Sequence, residues 1–216
     1  MTRYAFVPIA ATAALLAGCS PTTAIVGFGS HGAVAPAATA SASTADIASR
    51  PIGSQLLPDV LQQKLLEQVN DYRSRHDLPP LAADRSAAAA ADWMARYQAS
   101  IRTMTHTSTV AGMEDFGNRY GRMGGARLVS GAENIAWHQL GMKKGAVSES
   151  YEELAARIVG GWIDSPPHRK NLLLSAARGR AIAGLGVARG VNGGTDGVYS
   201  TIDLFYVEQG RDATGG

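Results

Sequence analysis

The segment Gly161–Leu173, GWIDSPPHRKNLL, combines a tryptophan, a Ser-Pro pair and a histidine within thirteen residues. Ser165 is a favourable N-cap, because a serine hydroxyl accepts a hydrogen bond from a backbone N–H group that would otherwise lack a partner. Pro166 suits the first helical position, where its missing N–H costs nothing. His168 then falls in the first turn, where the positive end of the helix dipole disfavours an imidazolium. The sequence therefore predicts a neutral histidine that can accept a proton or bind a metal.

Four segments of the chain together resemble one protein family. They are Val69-Asn70-x-x-Arg73, Thr105-His106-Thr107, Ala132-Glu133-Asn134-Ile135-Ala136 and Trp162-x-x-Ser165-Pro166-x-His168-Arg169-x-Asn171-Leu172-Leu173. Their order and spacing resemble bacterial members of the CAP domain family, which is also called sperm-coating-protein-like and includes cysteine-rich secretory, antigen 5 and pathogenesis-related proteins. The resemblance extends over residues 56 to 208. It implies an α+β fold, a three-layer α–β–α sandwich with a small antiparallel sheet.

Length and composition indicate one substantial domain. The chain has 216 residues, 45% of them hydrophobic, which is enough to bury one core. We expect a signal peptide at 1–18, a lipidated cysteine and flexible tether at 19–55, the CAP domain at 56–210 and a disordered tail at 211–216. The formal net charge is only +2, and no basic stripe is present. The sequence therefore predicts no nucleic-acid partner.

The N-terminal residues are typical of a bacterial lipoprotein precursor. Arg3 precedes the apolar run Ala5–Leu16, which is too short to span a bilayer. Leu16-Ala17-Gly18-Cys19 resembles the lipobox, and Cys19 is the only cysteine of the chain. Acyl chains on Cys19 would anchor the protein to a membrane. We expect an extracytoplasmic envelope protein, which Ser20 would direct to the outer membrane in a cell with two membranes.

The spacing of hydrophobic residues, together with helix-starting and turn-forming residues, predicts further helices and strands. Helices are expected to begin near Pro58, Arg85 and Ser150, and strands to cover 133–137, 184–189 and 197–207. Asn192-Gly193-Gly194 predicts a turn between the last two strands. The glycine-rich stretch 104–131 predicts a long irregular loop. Trp93 and Tyr97 fall on the apolar face of the second helix, and we expect them in the core.

The resemblance implies a cleft that contains two histidines. His106 and His168 match the family's cleft histidines, and Glu133 lies in its Gly-Glu-Asn box. These three residues would form an open site for zinc or magnesium. Alternatively, Glu133 could orient one histidine through its second ring nitrogen, or satisfy backbone groups at the sheet edge. Three further residues are expected to line the cleft: Asn134, His138 and Asp164.

The chain departs from the family pattern at one position. Animal CAP domains complete a tetrad of two histidines and two glutamates with a glutamate three residues after the tryptophan. That position is Ser165 here. Asp164 lies about 100° away around a helix and is a poor substitute. The departure lowers the number of ligands and favours weak metal binding or none.

Three functions remain compatible with the sequence. The favoured one is a ligand-binding or envelope-interaction module for a small molecule, a lipid or an envelope component. The second is a hydrolase of peptide or cell-wall material, with Ser165 as nucleophile, His168 as base and Glu133 as its orienting group. A capping serine and a histidine in the same turn rarely point at each other, and no nucleophile elbow is present, so an enzyme is disfavoured. The third is a structural envelope protein with a vestigial cleft.

Overall fold

The computed structural model describes residues 43–208. Within this range the helices are α1 Thr44–Ala48, α2 Pro58–Ser74, α3 Arg85–Ile101, α4 Phe116–Arg122, α5 Tyr151–Asp164 and α6 Pro166–Leu172. The strands are β1 Ala82–Ala83, β2 Leu128–Gln139, β3 Met142–Lys143, β4 Ala146–Val147, β5 Arg180–Asn192 and β6 Thr195–Val207. None of the described helices is long and apolar enough to cross a membrane. The predicted signal peptide, Cys19 and the tail at 211–216 lie outside the described residues.

The main sheet has four strands in the order β1-β5-β6-β2. Strands β5, β6 and β2 are antiparallel, and the two-residue β1 runs parallel to β5. Helices α2 and α5 cover one face of this sheet, and α3 and α4 cover the other. The predicted three-layer α–β–α sandwich is confirmed. Strand β2 is an edge strand of the sheet.

Alternation along β6 divides the core into two apolar clusters. Ile202 and Leu204 point towards α2 and α5, whereas Phe205 and Val207 point towards α3 and α4. Successive side chains of a strand point to opposite faces, so a strand covered on both sides is apolar almost throughout. Asp203 interrupts the hydrophobic segment Ile202–Val207 and is 0% exposed.

Helix α3 packs unusually close to β5. A Cβ atom added at Gly184 would overlap the backbone of Ala87, and one added at Gly186 would overlap the backbone of Ala91. Small residues on both elements therefore allow the helix axis to approach the strand directly.

The predicted helix starts are confirmed, because each depends on a local signal. Pro58 is the first residue of α2, and Ser150 forms a capping box with Glu153 at the start of α5. Asp84 caps α3 by accepting hydrogen bonds from two backbone N–H groups. The predicted turn between the last two strands is also present, with Gly193 and Gly194 both at positive φ.

The prediction of a flexible tether up to residue 55 is wrong for its described part. Ser43 forms a capping box with Asp46 at the start of α1. Ala48 and Ile52 are 0% and 5% exposed, and the N–H of Ile52 donates to the carbonyl of Glu149 at 2.9 Å. These few apolar side chains stand among small polar residues and show no periodicity. They are ordered by burial against the domain.

Two further predictions are corrected. The stretch 104–131 is not wholly irregular, because it contains α4, which Asp115 caps at its start. Strand β2 is also longer than predicted and begins within this stretch. Trp93 and Tyr97 are only partly buried, and their rings stack on each other with centroids 5.3 Å apart on the outside of α3. The Tyr97 hydroxyl also accepts a hydrogen bond from the N–H of Thr109 at 3.3 Å, so the loop after α3 contacts this pair of rings.

Candidate functional site

A cavity of about 530 Å³ borders edge strand β2. Residues from the loop after α3, from the start of α4, from β2 and from α6 surround it. These are His106, Thr107, Asp115, Phe116, Gly131, Ala132, Glu133, Pro167, His168 and Asn171. The structure therefore brings His106, Glu133 and His168 to one cavity. Its volume is in the range of small-ligand sites in proteins.

Glu133 holds the imidazole of His106 in place. One carboxylate oxygen, Oε1, lies 2.9 Å from Nδ1 of His106. The other, Oε2, accepts a hydrogen bond from Nη2 of Arg119. The side chains of Arg119 and Glu133 are 0% and 1% exposed, whereas that of His106 is 53% exposed. A buried ion pair therefore fixes the orientation of a histidine at the surface.

Arg119 also closes the loop that carries His106. Its Nη1 donates to the carbonyl of Met113 at 3.3 Å, and the Ser108 hydroxyl donates to the same carbonyl at 2.8 Å. The N–H of Ser108 donates to the carbonyl of Glu114 at 3.0 Å. These bonds hold the loop between α3 and α4 in one conformation. Arg119 thus supports both sides of the hydrogen bond between His106 and Glu133.

Asp203 lies directly across the sheet from Glu133, because β2 and β6 pair these two residues in register. Burial raises the pKa of Asp203 well above its ordinary value, and the nearby Glu133 charge raises it further, while Arg119 opposes the shift. A buried carboxyl group beside a carboxylate favours its neutral form. The floor of the site thus holds three ionisable groups.

Neither Arg119 nor Asp203 is among the site residues predicted from the sequence. The available signal for Asp203 is an acidic residue within the segment Ile202–Val207, whose other members are hydrophobic. A charged residue in a strand that is covered on both faces needs a partner. Arg119 carries no comparable signal, since it lies in a polar, glycine-rich stretch.

His168 is the third residue of α6 and is half-buried at the cavity. Burial lowers its pKa, and the charge of nearby His106 lowers it further. The predicted preference for a neutral imidazole agrees with this direction, although the causes are burial and His106. Ser165 occupies the N-cap position as expected, but its hydroxyl makes no capping hydrogen bond to α6.

The three residues predicted to line the cleft are not among those that surround this cavity. Asn134 is buried on the opposite face of β2, where it donates to the carbonyl of His168 at 3.0 Å and accepts from Asn171 at 2.9 Å. It thereby fastens α6 to the sheet. His138 faces Gly161 of α5 instead, and burial and Arg157 lower its pKa. Asp164 is exposed at the end of α5.

The donor set does not fit the predicted three-ligand metal site. Both oxygens of Glu133 are engaged, one by His106 and one by the guanidinium of Arg119. Among residues 43–208, no group of three or more metal-ligating side chains is arranged to hold an ion. Only the two imidazoles would remain as ligands. Glu133 matches the predicted alternative, in which it orients one histidine through a ring nitrogen.

The proposed hydrolytic arrangement lacks its nucleophile. Ser165 does not line the cavity, and its hydroxyl belongs to the turn between α5 and α6. His106 and His168 therefore face the cavity without an adjacent serine in the described chain. The arrangement provides hydrogen-bonding groups and apolar walls.

Solved structures with a similar fold come from several bacteria. One is an extracellular SCP-domain protein of Bacillus anthracis, with 27% identity, a TM-score of 0.48, and coverage of 70% of this chain and 41% of that one. Another is an outer surface protein of Borrelia burgdorferi, with 18% identity, a TM-score of 0.49, and coverage of 69% and 93%. This chain thus spans less than half the length of the Bacillus protein. No curated protein matches the chain significantly.

The sequence profile of the cysteine-rich secretory protein family, CAP, matches residues 66–204. That range covers more than half of the chain. It contains all four segments on which the resemblance rests, as well as Arg119 and Asp203. The chain therefore belongs to the CAP family.

Proposed function

We propose that this protein is an extracytoplasmic, lipid-anchored binding module whose cavity holds a ligand between His106 and His168. The observation that carries the proposal is the buried pair of Arg119 and Glu133, which fixes the exposed imidazole of His106 at the cavity rim. Because the imidazole is already held in place, its side chain would lose less conformational entropy when a ligand binds. A merely structural cleft does not need such an arrangement.

The chemistry of the cavity suits a ligand with both apolar and hydrogen-bonding parts. His106 uses Nδ1 towards Glu133, which leaves Nε2 for a ligand. A neutral His168 offers one donor and one acceptor. Phe116 and Pro167 contribute apolar wall. No metal is needed for these contacts, so we regard zinc or magnesium as dispensable.

Attachment to the membrane is the second part of the proposal. It rests on the lipobox-like segment that ends at Cys19 and on the apolar run before it. An anchor of two or more acyl chains would keep the binding domain at the envelope surface. The ligand is then expected to be an envelope component or a molecule of the extracytoplasmic space.

The proposal is tested by screening a library of small polar and amphipathic fragments against the full chain by ligand-observed NMR. We expect hits whose signals are lost in the double variant His106→Asn/His168→Asn. They should persist in His76→Asn, a matched control whose ring packs against Tyr72 at 4.6 Å, outside the residues that line the cavity. Hits that bind the double variant equally well would contradict the proposal.

A titration with zinc separates the metal-dependent alternative. We expect the fragment hits to bind equally in the presence of a chelator. Zinc binding at micromolar affinity that both His106→Asn and His168→Asn abolish, together with chelator-sensitive hits, would instead favour a metal-dependent site.

A further inference from the structure

The cavity lies against an open edge of the main sheet. Strand β2 is last in the sheet order and pairs on one side only, with β6. Three consecutive residues of this strand, Gly131 to Glu133, line the cavity. The backbone of an edge strand presents N–H and C=O groups away from the sheet at alternate residues. These groups are available for hydrogen bonding only where nothing covers them.

Residues of β2 alternate between those that hydrogen-bond to β6 and those that do not, and this alternation shows which residues present the outward-facing groups. The N–H of Leu140 donates to the carbonyl of Asp196 at 3.2 Å, so even-numbered residues at this end of β2 bond to β6. The register from Ser130 to Gln139 is continuous, and the pattern repeats every two residues. The backbone groups of Gly131, Glu133 and Ile135 therefore point away from the sheet.

Side chains from α5 and α6 already bond to two of the outward-facing carbonyls of this edge. Trp162 donates its Nε1–H to the carbonyl of Ile135 at 3.3 Å, and Asn171 donates to the carbonyl of Glu133 at 3.4 Å. Among residues 43–208, no group bonds to the N–H or the C=O of Gly131, or to the N–H of Glu133. The carbonyls of Glu133 and Ile135 are thus occupied by side chains of α6 and α5, and the open groups of the edge are those of Gly131 and the N–H of Glu133.

From this arrangement we infer that the ligand of the cavity is an extended peptide, which adds to β2 as a further strand at Gly131–Glu133. The inference rests on the proposed function, since it names the class of ligand for the same cavity. The open N–H and C=O of Gly131 and the open N–H of Glu133 can pair with the C=O and N–H groups of an extended peptide main chain. Alternate ligand side chains point towards the His106 wall and the His168 wall.

Main-chain pairing favours a peptide over other extended polymers. A polysaccharide or nucleic acid lacks the alternating amide donors and carbonyl acceptors that an open strand edge pairs with. A basic stripe for phosphates is also missing from the sequence, whose net charge is +2. Gly131 has no side chain that could stand between a ligand and the strand, and Phe116 and Phe205 pack where such a side chain would be.

The test uses the full chain, labelled with ¹⁵N, and a random library of hexapeptides of L-amino acids. The best binder is resynthesised with a single N-methyl group at each residue in turn. We expect methylation at the edge-facing ligand residue to weaken binding about tenfold or more and methylation at its neighbours to change it less than about threefold. Saturation should slow amide exchange of Gly131 and Glu133 about tenfold or more. The amide of Ala132, which already bonds to β6, serves as the internal control.

Two results would overturn the inference while the proposed function survives. One is that fragments bind through His106 and His168 but the library yields no peptide binder. The other is a peptide binder that leaves exchange at Gly131 and Glu133 unchanged. Failure of the proposed function is distinguishable, because then no ligand of either kind depends on the two histidines.

Discussion

The buried ion pair beneath the cavity makes a quantitative prediction for Arg119→Met. Arg119 and Glu133 are 0% and 1% exposed, and Asp203 beside them is 0% exposed. Replacing the guanidinium by a thioether of similar length would leave a buried carboxylate without its charged partner. Breaking a buried pair in this way costs about 3–5 kcal/mol. That is a large share of the roughly 5–15 kcal/mol that stabilises a domain.

The double variant Arg119→Met/Glu133→Gln isolates the electrostatic part of this cost. An amide in place of the carboxylate removes the unpaired charge and keeps the side chain's shape. We expect the double variant to be more stable than Arg119→Met alone by about 2–3 kcal/mol, because neutral replacement of a buried pair is often tolerated. In a double-mutant cycle, the effects of the two substitutions on the free energy of unfolding should therefore be strongly non-additive.

Urea unfolding at pH 7, followed by tryptophan fluorescence, measures these free energies. A matched control is Arg96→Met, which removes a partner of Asp92 from a surface pair whose arginine side chain is 70% exposed. This control should cost less than about 1 kcal/mol. The reasoning would be refuted if Arg119→Met cost no more than the control at an unchanged m-value, or if the double variant showed the sum of its single effects.

Three further predictions concern packing, pH dependence and anchoring. Gly186→Ala should destabilise the fold in urea unfolding by about 3 kcal/mol or more, since its Cβ would overlap the α3 backbone; Gly160→Ala, with open space around it in α5, should stabilise by about 0.5–1 kcal/mol. The pKa of Asp203 is raised in the folded state, so the stability that this residue contributes below pH 4 is lost as the pH rises through its folded-state pKa. The wild type should therefore lose stability relative to Asp203→Asn from pH 4 upwards. A difference in unfolding free energy that does not change with pH would contradict this. Cys19→Ser should move the protein from the membrane to the soluble fraction of lysed cells and abolish palmitate labelling, whereas unchanged fractionation would exclude the anchor.

The sequence predicts the long helices, in which a local start signal is followed by a sustained apolar periodicity. Pro58, Ser150 and the turn at Gly193 act through backbone geometry within a few residues, so their effects can be recognised without the fold. Helices α1 and α4, of five and seven residues, were missed. Such short helices are not stable by themselves and form only through packing, which sequence periodicity does not record.

The candidate site also contains residues that the sequence predicts correctly and residues that only the tertiary structure places. The resemblance selected His106, Glu133 and His168, and all three line one cavity. It also selected Asn134 and His138, which the alternation of β2 and its packing direct elsewhere. Whether a residue of β2 faces the cavity depends on which face of the sheet its side chain points to and on which helix packs there. That information is not local to the motif.

The sequence by itself determined the family, the start of each long helix and the pair of histidines, because these depend on residue type at short spacing. The segment from Gly161 to Leu173 contains the longest of the four motifs and one of the two histidines. Only the tertiary structure decided what Glu133 does. The register of β2 with β6 places Asp203 beside it, and the packing of α4 brings Arg119 to its second oxygen. A carboxylate whose two oxygens contact Arg119 and His106 is placed to orient the histidine at the cavity.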